Sequence, residues 1–262
     1  MTTLINTSLK FLVQNFSSTI PYVKNDNPVR FFLLMHGRSG SSLLISLLNS
    51  HSKIKCSGEI LYRQNKHPYK LIKGLEKYYR WRKGQEIVWG FKAKPEQISK
   101  CDITHQSFFN MLIERNTIII SLVRKNVFRS AISVLLASKR GGHYHNNSGI
   151  TRQFSPVYLN PEQVLAVMRQ RQQQKENIAS IIANLPMPCL ELNYEEHLSD
   201  AYRQKETCQT IFDLLKIERQ PISSSFKKMT NNKLSDSVEN AEEVIKVVSA
   251  SEFAKYVVDV SI

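Results

Sequence analysis

The stretch from Arg30 to Leu48 constrains this chain more than any other. Arg30-Phe-Phe-Leu-Leu-Met-His36 is apolar almost throughout, Gly37-Arg38-Ser39-Gly40-Ser41-Ser42 is small and polar, and Leu43-Leu-Ile-Ser-Leu-Leu48 is apolar again. An apolar run of this length closed by glycine predicts a strand covered on both faces. Leu43, Leu44, Leu47 and Leu48 recur at helical spacing, so the second run predicts a helix. A Gly/Ser loop between them can wrap its backbone N–H groups around an anion at the helix N-terminus, where the dipole assists. The plainer alternative is a tight strand–helix turn with no ligand, which would not require so polar a loop.

The rest of the chain repeats the alternation. Residues 1–28 read as an accessory helix (Leu4, Leu9, Phe11, Leu12, Phe16) and a connector from Pro21 to Pro28; residues 29–262 read as one domain. Short strands are predicted over Lys53–Ser57 and Glu86–Lys92. A helix is predicted from Pro95 towards Ile113, with Pro in its first turn. Asn116–Val123 is the strongest strand, β-branched and apolar. Asn126 then suits the N-cap of a helix over Val127–Ser138. Gly141 to Leu159 reads as a long irregular loop. A long helix over Pro161–Leu185, a strand over Pro188–Asn193, and helices over Tyr202–Leu215 and Glu239–Val248 complete the pattern. Strands alternating with helices predict an α/β fold, a central parallel sheet flanked by helices. Its site should lie beyond the carboxyl ends of the strands.

Composition narrows the partner. A hydrophobic content of 42% suits a globular chain, and a formal net charge of +14 calls for an anionic one: nucleotide, sulfated or phosphorylated substrate, nucleic acid or membrane surface. Cys56, Cys101, Cys189 and Cys208 form no CxxC pair, which points to free buried thiols in a reducing compartment rather than zinc or a disulfide scaffold. No run is long enough to span a membrane, and Met1 to Ser18 lacks the basic start and clean apolar core of a signal peptide. A cytoplasmic location is expected.

The loop is not a Walker A motif, which needs Lys-[ST] after its second glycine. Its one cation, Arg38, can offer several N–H donors to a single phosphate. His36-Gly37-Arg38-Ser39-Gly40-Ser41-Ser42-Leu43-Leu44 resembles the 5′-phosphosulfate loop of sulfotransferases that use 3′-phosphoadenosine 5′-phosphosulfate (PAPS). Four further stretches are similar to that family in order: Trp89-Gly90-Phe91-Lys92, Arg124 with Asn126, Arg129 and Ser133, Leu192-Asn193-Tyr194-Glu195, and Ser235 to Val244 with Asn240. The resemblance is to the bacterial and carbohydrate type, similar to the trehalose sulfotransferase-like branch, and implies a three-layer P-loop-like fold.

Several expectations follow from that resemblance. Ser39, Gly40, Ser41 and Ser42 hold the 5′-phosphate with Arg38, which also steadies the leaving charge. Arg124 and Ser133 hold the 3′-phosphate, with Lys125, the next residue, and Ser130, three residues earlier, as rivals; Ser133 is nine residues after Arg124 where many members have eight. Glu59, after Ser57-Gly58, takes the acceptor's proton, with His36, His51 and His145 as rivals. His51 reads as a solvated loop residue. No metal is required; His143-Tyr144-His145 lacks further ligands nearby and suits an acceptor-pocket loop. The expected activity is sulfuryl transfer from PAPS to a hydroxyl acceptor: a carbohydrate, glycolipid or small alcohol.

Other readings keep their place. A P-loop-like nucleotide kinase would use the same strand, loop and helix. A polyanion-binding module would use the basic-aromatic run Arg63–Lys83, where Lys70, Lys73 and Lys77 share a helical face, although a solvated face explains that run better and nucleic acid is not expected. Lys227 and Lys228 sit where a late loop could approach the 3′-phosphate. The sequence leaves acceptor identity and oligomeric state open.

Overall fold

The computed structural model describes residues 30–61, 68–70, 72–74, 88–141, 154–224, 226, 233–258 and 260–262. The accessory helix, residues 75–87 with Lys77, the loop bearing His143-Tyr144-His145, and Lys227 with Lys228 lie outside the described residues. The chain divides into two compact units. One comprises residues up to Val123 and Ile178–Ser223; the other comprises Arg124–Asn177 and Ser224–Ile262.

The first unit holds a five-stranded sheet: β1 (Arg30–Met35), β2 (Ile54–Cys56), β3 (Val88–Ala93), β4 (Thr117–Val123) and β5 (Leu190–Asn193). The order is β2-β3-β1-β4-β5, and every neighbouring pair is parallel. β1 is therefore bonded on both edges, with Leu33 opposite Lys92 on one side and Ile120 on the other. Alternation sends its side chains to two separate cores. Phe31, Leu33 and Met35 pack with Leu44, Leu47 and Leu48 of α1 (Ser41–Asn49) and with Ile211 and Phe212 of α7 (Ala201–Leu214). Phe32 and Leu34 pack with Ile98 of α2 (Pro95–Ser99), Phe108 and Phe109 of α3 (His105–Ile113), and Ile178 in α5 (Pro161–Ala183). The expected parallel sheet flanked by helices is present, and its apolar strands are buried on both faces as such a layer requires.

In the second unit, α4 (Val127–Lys139), the N-terminal part of α5 and α8 (Ala241–Ser249) enclose a core of Val127, Ala131, Leu135, Val164, Met168, Val244 and Val248. Asn240 clamps this unit: its side chain accepts from the Leu159 N–H at 3.0 Å and donates to the Leu159 carbonyl at 2.9 Å. Asn126 caps α4 as expected, accepting from the Arg129 N–H at 2.8 Å.

Two expectations need correction. The single helix from Pro95 to Ile113 is two helices. Asp102 adopts a left-handed backbone (φ 52°), and the Thr104 hydroxyl starts α3 by accepting from the Ser107 N–H at 3.1 Å. A one-turn helix, α6 (Tyr194–His197), also follows β5, where the sequence suggested only a polar strand end. The four cysteines are free, and burial pushes the Cys56 thiol up to about 11 and those of Cys189 and Cys208 to about 12.

Gly90 leaves no room for a side chain: a Cβ there would overlap the Phe31 ring, which is itself 1% exposed. Gly90→Ala should therefore destabilise the protein by about 1–3 kcal/mol through overpacking. A thermal melt would show this as a fall of several degrees; an unchanged midpoint would mean that the Phe31 ring can move aside.

Candidate active site

The loop after β1 leads into α1 through Gly40. Arg38 (φ 66°) and Gly40 (φ 93°) are both left-handed, a costly conformation for Arg38, by about 1 kcal/mol or more. Backbone of alternating hand gathers N–H groups into a concavity that suits an anion. At Gly40 a Cβ would come within 2.6 Å of Tyr194 Cδ2, so only glycine fits between the loop and α6. Gly40 is also the N-cap of α1, with no side-chain cap and no acidic residue in the helix's first turn. The N–H groups of that turn have no carbonyl partner inside the helix. Ser39 is 2% exposed, and its Oγ has no hydrogen-bond partner among the described residues. A buried hydroxyl left in this way costs about 1–3 kcal/mol, which the oxygens of a bound anion would offset.

The neighbouring strand supplies the cations. Val88, Gly90 and Lys92 alternate towards the α1 face of the sheet, while Trp89, Phe91 and Ala93 pack on the other. The Lys92 side chain is thus carried under α1, where Nζ donates to Ser41 Oγ at 3.3 Å and Ser42 Oγ at 3.2 Å. Lys92 is buried, and burial lowers its pKa against an opposing pull from Glu59. Lys94 follows at the strand end. Its Nζ lies about 4.0 Å from where a Gly37 side chain would begin, so its ammonium borders the loop.

Glu59 faces both lysines. The chain leaves β2 through Gly58, whose carbonyl accepts from the Lys92 N–H at 2.9 Å, and Gly58 turns with φ 71°. Glu59 Oε1 then lies 3.8 Å from Lys92 Nζ, and Oε2 lies 3.4 Å from Lys94 Nζ. Gln97 Nε2 donates to Oε2 at 2.8 Å. Among the described residues, this constellation joins a carboxylate, two ammonium groups and an anion-shaped loop in one unit.

The histidine rivals separate. His36 follows β1 directly and is buried, with Nδ1 3.6 Å from Glu96 Oε1. His51 is not solvated: it is fully buried, with its ring 4.7 Å from that of Phe212. Its Nδ1 accepts from the Lys53 N–H at 3.0 Å, leaving Nε2 to donate to the Glu218 carbonyl at 2.9 Å. Both nitrogens are in structural use, so His51 cannot serve as a base. His145 lies outside the described residues.

Arg124 and Lys125 follow β4 and open the second unit; Ser130 and Ser133 are both buried in α4, three residues apart. Tyr69, Lys70 and Lys73 of the basic-aromatic run are exposed, and the Arg115 guanidinium sits 4.9 Å from the Tyr69 ring centre. Among the described residues, no group of three or more His, Cys, Asp or Glu side chains could hold a metal ion, and no helix is long and apolar enough to cross a membrane.

Sequence reading gave Lys94 and Gln97 no part in the site and treated Lys92 only as a strand marker. The available signal was the alternation itself: a lysine at every second position off the carboxyl end of an otherwise apolar strand.

No family model and no curated protein matches the chain. Among solved structures, polyphosphate kinase 2 from Arthrobacter aurescens TC1 is similar at a TM-score of 0.41 and 12% identity, over 95% of this chain and 86% of that one. Mouse sulfotransferase SULT7A1, complexed with PAP, is similar at a TM-score of 0.38 and 13% identity, over 95% of this chain and 72% of that one. Likeness at this level extends to neither ligand nor reaction.

Lys92→Met should abolish anion binding without lowering stability near neutral pH, because it removes a buried charge along with its contacts. Burial lowers the folded-state pKa of Lys92, so between that value and the unfolded one the unfolded chain binds more protons. The wild type therefore gains stability as pH rises through that alkaline interval, and any advantage of the variant should shrink there. Melting curves against pH, with and without inorganic sulfate, test this. A variant that still responds to sulfate would remove Lys92 from the site.

Proposed function

We propose that this protein is a sulfotransferase that moves the sulfuryl group of PAPS to a hydroxyl acceptor, with a carbohydrate, glycolipid or small alcohol as the acceptor class. One observation carries the proposal: a carboxylate, two lysines and a loop with a buried hydroxyl that has no partner among the described residues converge at the strand ends of the first unit. The ordered resemblance of the motifs supplies the donor. The loop hydroxyl and N–H groups, with Arg38, bind the 5′-phosphate side. Lys92, on the hydroxyls of Ser41 and Ser42, faces the charge that builds as the S–O bond to phosphate breaks. Such preorganised charge usually supplies the largest catalytic term. Glu59 accepts the proton of the attacking hydroxyl. Arg124 and Ser133 are assigned to the 3′-phosphate by resemblance. In this chain a lysine reaches the loop from β3, whereas a Walker A loop carries its own.

The donor assignment is testable without an acceptor. Adenosine 3′,5′-bisphosphate should raise the melting point well above AMP or ATP at equal concentration. A ligand at about a hundred times its Kd stabilises by about 2.7 kcal/mol, or roughly 5–10 °C for a chain of this size. Arg124→Ala should erase the preference for the 3′-phosphate. Equal shifts for all three nucleotides, or a response to ATP alone, would favour the kinase reading; a response only to long polyanions would favour a binding module.

The base assignment has its own test. Glu59→Gln should remove turnover, measured as transfer from radiolabelled PAPS across a panel of sugars, glycolipids and alcohols, while the bisphosphate shift survives. Full turnover in that variant would exclude Glu59 as base.

A further inference from the structure

We infer that Gln97 is the positioning residue for the base, holding one oxygen of Glu59 so that the other is presented to the acceptor; this rests on the proposed sulfuryl transfer. Gln97 is 6% exposed and sits in the first turn of α2. Both ends of its amide are engaged. Oε1 accepts the Lys94 N–H at 2.9 Å, and Nε2 donates to Glu59 Oε2 at 2.8 Å. The first bond fixes the amide's orientation, so that its NH₂ must point at the carboxylate. Oε2 also has the Lys94 ammonium at 3.4 Å. Among the described residues, Oε1 of Glu59 has Lys92 Nζ at 3.8 Å, beyond hydrogen-bond distance.

The two carboxylate oxygens are thus unequal. Oε2 is tied to the scaffold by a buried neutral donor and a flanking cation. Oε1 is directed towards the ammonium that reaches the Ser41 and Ser42 hydroxyls. A hydroxyl attacking a sulfuryl group held at the loop would meet Oε1. In that step the acceptor oxygen bonds to sulfur, the bond from sulfur to the bridging phosphate oxygen breaks, and the hydroxyl proton passes to Oε1. The leaving group keeps the electron pair and departs as adenosine 3′,5′-bisphosphate. A neutral amide suits the positioning task. A third cation would hold the carboxylate more tightly and weaken it as a proton acceptor, whereas an apolar residue would let it rotate between the two lysines.

Two substitutions separate positioning from a structural role. Gln97→Glu keeps an acceptor for the Lys94 N–H but offers Glu59 no donor and sets a second carboxylate beside it. Gln97→Leu removes both bonds. The readouts are the melting shift with adenosine 3′,5′-bisphosphate and the release of radiolabelled sulfate from PAPS to water, or to an acceptor found by the panel, as a function of pH. Both variants should keep the bisphosphate shift and lose about tenfold or more in kcat, as misplaced catalytic groups do. In Gln97→Glu the acid limb of the rate profile should also move to higher pH, because like charges oppose ionisation. A folded variant with wild-type rate and profile overturns the inference, as does a rate that falls only in step with bisphosphate binding. A wild type that shows neither the bisphosphate shift nor sulfate release overturns the sulfotransferase reading itself, and this inference with it.

Discussion

A strand paired on both edges and buried on both faces has only its ends left to meet polar partners. β1 is such a strand, and the candidate site follows from that constraint. Its neighbours run parallel to it, so their carboxyl ends gather on one rim of the sheet. The loop leaves β1 there, Glu59 leaves β2, Lys94 leaves β3 and Tyr194 leaves β5. None of these groups needs to cross the apolar layers to reach the others. Lys92 is the exception: it lies within β3 and is buried on the α1 face. The hydroxyls of Ser41 and Ser42 and the carboxylate of Glu59 make that placement tolerable. A buried charge with partners of this kind is weak evidence for stability but a good way to hold a cation still.

The constellation contains opposing demands. Glu59 draws both lysines towards itself, while an anion in the loop would compete for them. Arg38 holds a left-handed backbone that glycine would hold more easily, and Ser39 buries a hydroxyl that lacks a partner among the described residues. Each feature costs folding free energy that a bound anion would offset. Local rules broken in one small region, while the surrounding sheet obeys them, make that region the candidate site.

Much of the architecture was legible because it rests on period and punctuation. The apolar runs before Gly37 and Arg124 became β1 and β4, and Asn126 capped α4. The boundary at Asp102 was missed because apolar periodicity continues on both sides of it; the break depends on one backbone hand and one threonine hydroxyl. The Gly/Ser loop and Glu59 could be picked out as candidates from residue type and spacing. Lys94 and Gln97 were not, because their meaning depends on parallel pairing that brings residue 92 beside residue 58. His51 misled for a similar reason. It reads as a loop residue, but its partners, Phe212 and Glu218, come from a distant part of the chain.

The contact between Gly40 and Tyr194 bears on how the protein is made. The loop lies near the start of the first unit, whereas the ring that shapes it arrives with β5 and α6. Closing so long a loop is slow compared with forming local helices and turns. The strand, loop and helix around residues 30–48 can therefore form early, yet the cradle is finished only when the last strand of the sheet docks. During synthesis, the surroundings of this loop are completed only once β5 and α6 have emerged.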